Sequence, residues 1–401
     1  MRAAAWSMLA ALSWGQPRSV TDEEVRRVHA SALLIDTHND VTSDTLKGLD
    51  IGPRRATGQT DIPRLRQGGA GAVFFAAYVP ADTVRTHSAA HRALEMIDTI
   101  RFDIVGKHPA DFRLAATADE ILAARKEGRI AALIGIEGGH AIEDSPRLLR
   151  TFFDLGVRYM TLTHSNHNNW ADSSGTAGGP NNGLSPAGRG IVAEMNRLGM
   201  MVDISHVSDK TFFDALEASS APVFASHSSC RALSNIPRNM TDAMISALAR
   251  KGGVIQINFG CEFLSPKSAD TSSWTNRALK NEIEAKAARE TRTPAARKRR
   301  ITELEDEAKK RMTRATLADV VAHIGHAVKL AGIDAVGIGS DFDGVSCVPA
   351  GLDDVSMFPA LTRALLEKGY TGEQIVKIYG GNLLRVMRAA EADSARLRKA
   401  K

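Results

Sequence analysis

Three cysteines in 401 residues, Cys230, Cys261 and Cys347, are few, odd in number and without CxxC spacing. They suggest neither a disulfide framework nor a cysteine zinc site, so a metal bound here must use imidazole and carboxylate. Internal repeats are absent. Beyond the first residues no apolar run is long enough to cross a bilayer, which makes a soluble mature protein the expectation. Residues 1–14 pair one Arg with a short run of Ala, Trp, Met and Leu. This is signal-like but lacks a small-x-small cleavage site. A periplasmic or secreted protein and a cytoplasmic one with a plain disordered start are both open readings.

A basic face is missing too, although the net charge is +5 and the pI about 9.1. Residues 280–314 hold twelve Lys/Arg against seven Asp/Glu, an excess equal to that of the whole chain. The rest is balanced, and no nucleic-acid partner is expected. With 43% hydrophobic and 24% charged residues the chain can bury a large core, which excludes wholesale disorder.

Short continuous apolar runs fall at 33–36, 71–78, 131–136, 159–162, 200–204, 223–225, 254–258 and 335–338. Unbroken runs suit buried parallel strands, and eight is the number a closed (β/α)8 barrel needs. Between them, helical periodicity covers 89–105, 118–126, 146–155, 186–198, 209–218, 242–249 and 317–331. Thr117, Ser145, Ser185, Ser208 and Thr241 stand in N-cap positions. Two segments interrupt the alternation. The Asn/Ser/Gly-rich stretch 166–184 predicts a long loop over one barrel mouth. The charged stretch 280–314 predicts a solvated helical insertion before the last strand, broken or bent at Pro294. Closing helices are expected at 359–368 and 372–390.

Chemistry-bearing residues follow the apolar runs directly. The first run ends Ile35-Asp36-Thr37-His38-Asn39-Asp40, the third Glu137-Gly138-Gly139-His140, the fourth Thr163-His164. The fifth ends Ser205-His206, the sixth Ser226-His227, the eighth Ser340-Asp341-Phe342-Asp343. Parallel barrel strands aim their C-terminal ends at one face, so these groups converge although they are scattered along the chain. Residues two apart on an extended chain share a side, so His38 and Asp40 can face one metal. Nitrogen and carboxylate donors suit zinc. Five ligands are too many for one catalytic ion with an open position, whereas a carboxylate shared by two ions makes the number work. Glu137 is the natural bridge.

The stretches IDTHND at 35–40, GIEGGHAI at 135–142, YMTLTHS at 159–165, LSPAGRGIVAEMNRLGMMVDISHVS at 184–208, ASHSSCRAL at 225–233, PRNMTD at 237–242 and GIGSDFDGV at 337–345 resemble the membrane dipeptidase (renal dipeptidase) family of zinc peptidases. The similarity runs from about residue 28 to 387. It implies a metal-dependent hydrolase barrel, placed at 21–392; composition sets beside it a possible signal or disordered segment at 1–20, the insertion at about 270–315, where the match weakens, and a charged tail at 393–401. It further implies two Zn2+ ions, one on His38 and Asp40, the other on His206 and His227, bridged by Glu137 and a water or hydroxide that attacks the scissile carbonyl. His164 and Arg238 then contact substrate, with His164 a donor to the developing oxyanion and Asp341 the proton carrier. Arg238 offers a fork for the free carboxylate of a dipeptide, including one that ends in a D-residue. Asp343 receives no catalytic role, and His140 and His167 are read as supporting or loop histidines.

The resemblance does not extend to the lipid anchor of the animal enzymes, because the charged tail cannot serve as its signal. No membrane anchor is therefore expected, and a homodimer is the common base-rate assembly. One rival keeps the site but hydrolyses a lactone, β-lactam, N-acyl amino acid or phosphoester. Another makes the protein a non-enzymatic zinc- or nucleic-acid-binding protein that uses the basic insertion.

Overall fold

The computed structural model describes residues 18–399, so the signal-like stretch at 1–14 lies outside the described residues. The strands are β1 (Leu34–Asn39), β2 (Ala70–Tyr78), β3 (Phe112–Leu114), β4 (Ile130–Glu137), β5 (Val157–Thr161), β6 (Met201–Asp203), β7 (Phe224–Ser228), β8 (Val254–Ile257) and β9 (Val336–Ile338). They pair in the order β1-β2-β4-β5-β6-β7-β8-β9, and every pair is parallel. The ends of this path meet at its top. Asn39 bridges Phe342 just beyond β9, Asp341 N–H donates to the His38 carbonyl (3.0 Å) and Asp40 N–H to that of Phe342 (2.9 Å). Eight strands thus curl into a nearly closed α/β barrel, and each predicted run is one of them with ends shifted by a few residues.

β3 is absent from the sequence reading because three residues, Phe-Arg-Leu, are too few to display a period. It pairs with Ile130, Ala131 and Ala132 of β4, a stretch left free because the register of β5 begins only at Ile134.

Helices fill the connections. Thr117, Ser185, Ser208 and Thr241 accept hydrogen bonds from backbone amides three residues on, as N-caps should. Ser145 departs from expectation, since its side chain makes no capping bond and Pro146 opens that helix. The charged insertion is two helices, Arg277–Glu290 and Pro294–Lys309, with Pro294 in the first turn of the second. They bury only a small core of their own around Ile283, Ala287 and Leu304. The closing helix Asn382–Lys399 runs well past 390 and takes in most of the expected tail. Among the described residues no helix is long and apolar enough to cross a membrane.

Period-two alternation on β4 sorts the core and delivers the site. Ala132, Ile134 and Ile136 face the helices, while Ala131 and Leu133 point inward with Phe74, Tyr159 and Phe224. Gly135 and Glu137 continue the inward series. A Cβ on Gly135 would lie 2.0 Å from Cζ of Tyr159, so glycine here makes room for that ring. Leu383, Val386, Met387 and Ala390 of the last helix seal the barrel floor, which leaves Glu137 at the open upper end.

Two further expectations need correction. Cys261 and Cys347 form a disulfide, with Cys261 N–H also donating to the Cys347 carbonyl (3.0 Å). Their separation of 86 residues hides the pairing, but they follow the adjacent strands β8 and β9. Cys230 stays a buried thiol, pushed by burial up to about 12. The loop at 166–184 is also a packed element rather than a loose cover. Trp170, Ala171, Asp172 and Ser173 are buried, Ala171 bridges Leu184 and Ser173 bridges Val207.

Candidate active site

Glu137 ends β4 with its carboxylate among imidazoles from four other strand tips. Its Oε1 lies 2.9 Å from His206 Nε2, 3.3 Å from His227 Nε2 and 3.8 Å from His164 Nε2. Its Oε2 lies 3.6 Å from His38 Nε2, which is 3.2 Å from Asp40 Oδ2. The rings of His38 and His227 stack with centroids 3.7 Å apart. The structure therefore brings His38, Asp40, Glu137, His206 and His227 together, with His164 and Asp341 beside them. Donor atoms fall into close groups of His38, Glu137 and His227, of Glu137, His164 and His206, and of His38, Asp40 and Asp341.

Backbone geometry at two tips is held by local bonds. His206 is left-handed (φ 66°), and its carbonyl collects hydrogen bonds from Thr163 Oγ1, Ser173 Oγ and the Ser174 amide and hydroxyl. The packed loop at 166–184 is what supplies the two serines. Asp341 is also left-handed (φ 62°), its amide tied to His38. A Cβ on Gly344 would come 2.3 Å from Asp40 Oδ2 and 2.4 Å from Asp341 Oδ1, so glycine leaves the space beside both carboxylates clear.

The electrostatics are those of a centre short of positive charge. Burial pushes the His206 and His227 imidazoles well below the usual histidine range, and the Arg238 guanidinium adds to this, so both rings are neutral donors. Burial also opposes charge on His38 and Glu137. It is outweighed at His38 by Tyr159, Asp40 and Glu137, which raise it, and at Glu137 by the surrounding histidines, which hold it well down. Asp341 is held well above the usual carboxylate range by burial, with Asp40 and Glu137 adding to the effect. Although 3.2 Å apart, His38 Nε2 and Asp40 Oδ2 make no well-formed hydrogen bond with each other, and neither buried atom has another hydrogen-bond partner among the described residues. Such orphaned atoms are costly unless a cation takes their lone pairs, so the donor set fits divalent metal.

Arg238 lies beside this centre with the side chain buried. It donates to Ser228 Oγ (2.8 Å) and to the His227 carbonyl (2.7 Å), and packs over the Phe263 ring at 5.5 Å. Among the described residues no carboxylate lies within ion-pair distance of it, and burial pushes it down to about 10. His164 is lowered by burial and packs edge-on against Tyr78 at the tip of β2. Asp341 Oδ2 accepts a hydrogen bond from Asn258 Nδ2 (2.7 Å).

Tyr78 and Asn258, at the tips of β2 and β8, went unnoticed in the sequence, although the strand-tip rule that found the others applies to both. Tyr159, inside YMTLTHS, places its hydroxyl 2.8 Å from His38 Nδ1. His167 sits in the loop, where Nδ1 accepts from Ser173 N–H. Asp343 accepts the Gln59 amide (2.8 Å) and so holds a loop in place. His140 is buried and lowered by burial.

The chain is similar over nearly its whole length to known proteins. The membrane dipeptidase profile (peptidase family M19) matches residues 22–401. The dipeptidase verJ of Clonostachys rogersoniana is 36% identical over 92% of this chain and 87% of its own length. Among solved structures, dipeptidase AC, described as a metallopeptidase of family M19, is 27% identical with a TM-score of 0.72, covering 90% of this chain and 98% of the other. A metallopeptidase from Rhodobacter sphaeroides, liganded with a phosphinate mimic of the dipeptide L-Ala-D-Ala, is 25% identical with a TM-score of 0.71, covering 90% and 99%.

Proposed function

The chain belongs to the membrane dipeptidase family, peptidase family M19, and from that premise we propose that it is a zinc dipeptidase that hydrolyses dipeptides with a free C-terminal carboxylate, D-residues included. It is a hydrolase of the metallo-dipeptidase type. In our reading His38 and Asp40 would hold one ion and His206 and His227 a second, with Glu137 within reach of both. When bound, the pair supplies an activated water and polarises the scissile carbonyl. Arg238 takes the substrate carboxylate, since a buried guanidinium with no carboxylate in ion-pair contact among the described residues is a ready receiver and a planar fork matches that group. His164 donates toward the oxyanion. Asp341, whose burial beside Asp40 and Glu137 makes its carboxylate a stronger base than a free one, would take the water proton in its ionised form and pass it to the leaving amine. Acceptance of a C-terminal D-residue draws on the ligand named for the Rhodobacter sphaeroides relative.

The observation that carries this reading is the pair of orphaned atoms, His38 Nε2 and Asp40 Oδ2, beside the Glu137–His206–His227 group. Its test is turnover of L,L and L,D dipeptides by zinc-reconstituted against chelator-stripped protein. We expect turnover only with metal; none on any dipeptide overturns the assignment. A substrate without a carboxylate remains the second reading, and Arg238 is the residue that separates the two.

A further inference from the structure

Asp203 ends β6 fully buried, and both its oxygens are engaged. Oδ1 accepts the amides of Ser205 (3.0 Å) and Ser226 (2.8 Å), while Oδ2 accepts the hydroxyls of Thr161 (2.5 Å) and Ser226 (2.6 Å). Ser226 Oγ in turn lies 2.7 Å from His227 Nδ1. A carboxylate only accepts, and a serine hydroxyl has one proton to give. The Ser226 proton therefore goes to Asp203, and its lone pair is left for His227. The competing neighbour, Ser205 Oγ, is farther at 3.3 Å and itself accepts the His227 amide. Nδ1 of His227 must then carry hydrogen, which leaves Nε2 bare and aimed at Glu137 Oε1 and His206 Nε2.

We propose that Asp203, acting through Ser226, is a positioning residue that locks His227 in the tautomer able to bind a cation through Nε2. The proposal rests on the reading that His227 is a metal ligand. His38 is served differently. Tyr159 Oη lies 2.8 Å from its Nδ1 and donates to the Thr37 carbonyl (3.1 Å), so a phenol oriented by a backbone carbonyl does there what a serine oriented by a carboxylate does at His227. Partners behind a ligand fix its orientation and raise its basicity, and their loss weakens metal binding by roughly 10- to 100-fold.

Asp203→Asn reverses the wire. The new amide cannot turn its NH2 toward the Oδ1 side, where two backbone N–H groups already donate. It must face Thr161 and Ser226, so the Ser226 proton swings to His227 Nδ1 and hydrogen moves to Nε2. The test has two arms. Nitrogen NMR of histidine-labelled, metal-stripped protein should find Nδ1–H at His227 in the wild type and Nε2–H in the variant. Zinc titration against a competing chelator should find one of two ions bound about tenfold or more weakly in the variant, with the other unchanged. Ser226→Ala, which leaves Asp203 with its other three donors, should give a mixed tautomer and a smaller weakening of the same ion. It also decides the matter if Asp203→Asn does not fold. Unchanged tautomer and unchanged zinc affinity in a folded variant overturn the proposal. Failure of the wild type to bind zinc instead sinks the functional reading, while the tautomer arm still judges the wire.

Discussion

The Nε2 atoms of His206 and His227 face each other across 3.0 Å, both on rings that burial keeps neutral. With Glu137 Oε1 2.9 Å from the first and 3.3 Å from the second, three donor atoms converge on one point. Both nitrogens can turn a lone pair toward a cation held between them. His206→Asn keeps the left-handed backbone, which asparagine tolerates, but removes the imidazole. We predict the loss of one metal equivalent by elemental analysis and a fall in kcat on the order of 10²–10³-fold, as when a main electrostatic stabiliser is removed.

Arg238→Lys separates the two substrate readings. Lysine keeps the charge and loses the fork, so KM for dipeptides should rise, by about 2 kcal/mol or more in binding if the buried pair is broken. Steady-state kinetics on dipeptides and their C-terminal amides checks this. Equal effects on both contradict a carboxylate receiver.

Gly135→Ala tests the packing beneath the site. The added methyl meets the Tyr159 ring, so we expect a loss of roughly 1–3 kcal/mol in denaturant unfolding. Because Tyr159 also touches His38, zinc affinity should fall with it. A variant of unchanged stability would place the Tyr159 ring elsewhere.

Glu262 gives a pH dependence outside the metal centre. Its side chain is buried with Oε2 unpartnered among the described residues, and burial pushes it up to about 7 from an ordinary 4.5. Below the ordinary value both folded and unfolded chains hold the proton. As pH rises toward 7 the unfolded chain releases it first, so stability falls across that window and levels off above it. The shift corresponds to about 3 kcal/mol. Glu262→Gln should flatten that part of the stability–pH curve; an unaltered curve contradicts the burial argument.

The barrel was legible because buried parallel strands are unbroken apolar runs, and because polar tips such as His38, Glu137 and His227 follow them without a gap. N-caps such as Thr117 and Ser208 were legible for a local reason, since the capping bond spans only three residues. What failed depended on distance. The bond between Cys261 and Cys347 joins residues far apart in sequence, and β3 is defined by its register on β4 rather than by any pattern of its own. The loop at 166–184 looks loose by composition, yet Trp170 is buried and its serines clasp the His206 carbonyl. Asp203 was invisible as a partner of His227, because only adjacency of β6 and β7 lets Ser226 join them.

The most direct test of the account is a zinc titration of chelator-stripped protein, with bound metal and dipeptide hydrolysis followed in the same samples. The account predicts saturation at two ions per chain and activity that returns with them. Saturation at one ion, or full hydrolysis before any metal is added, contradicts it.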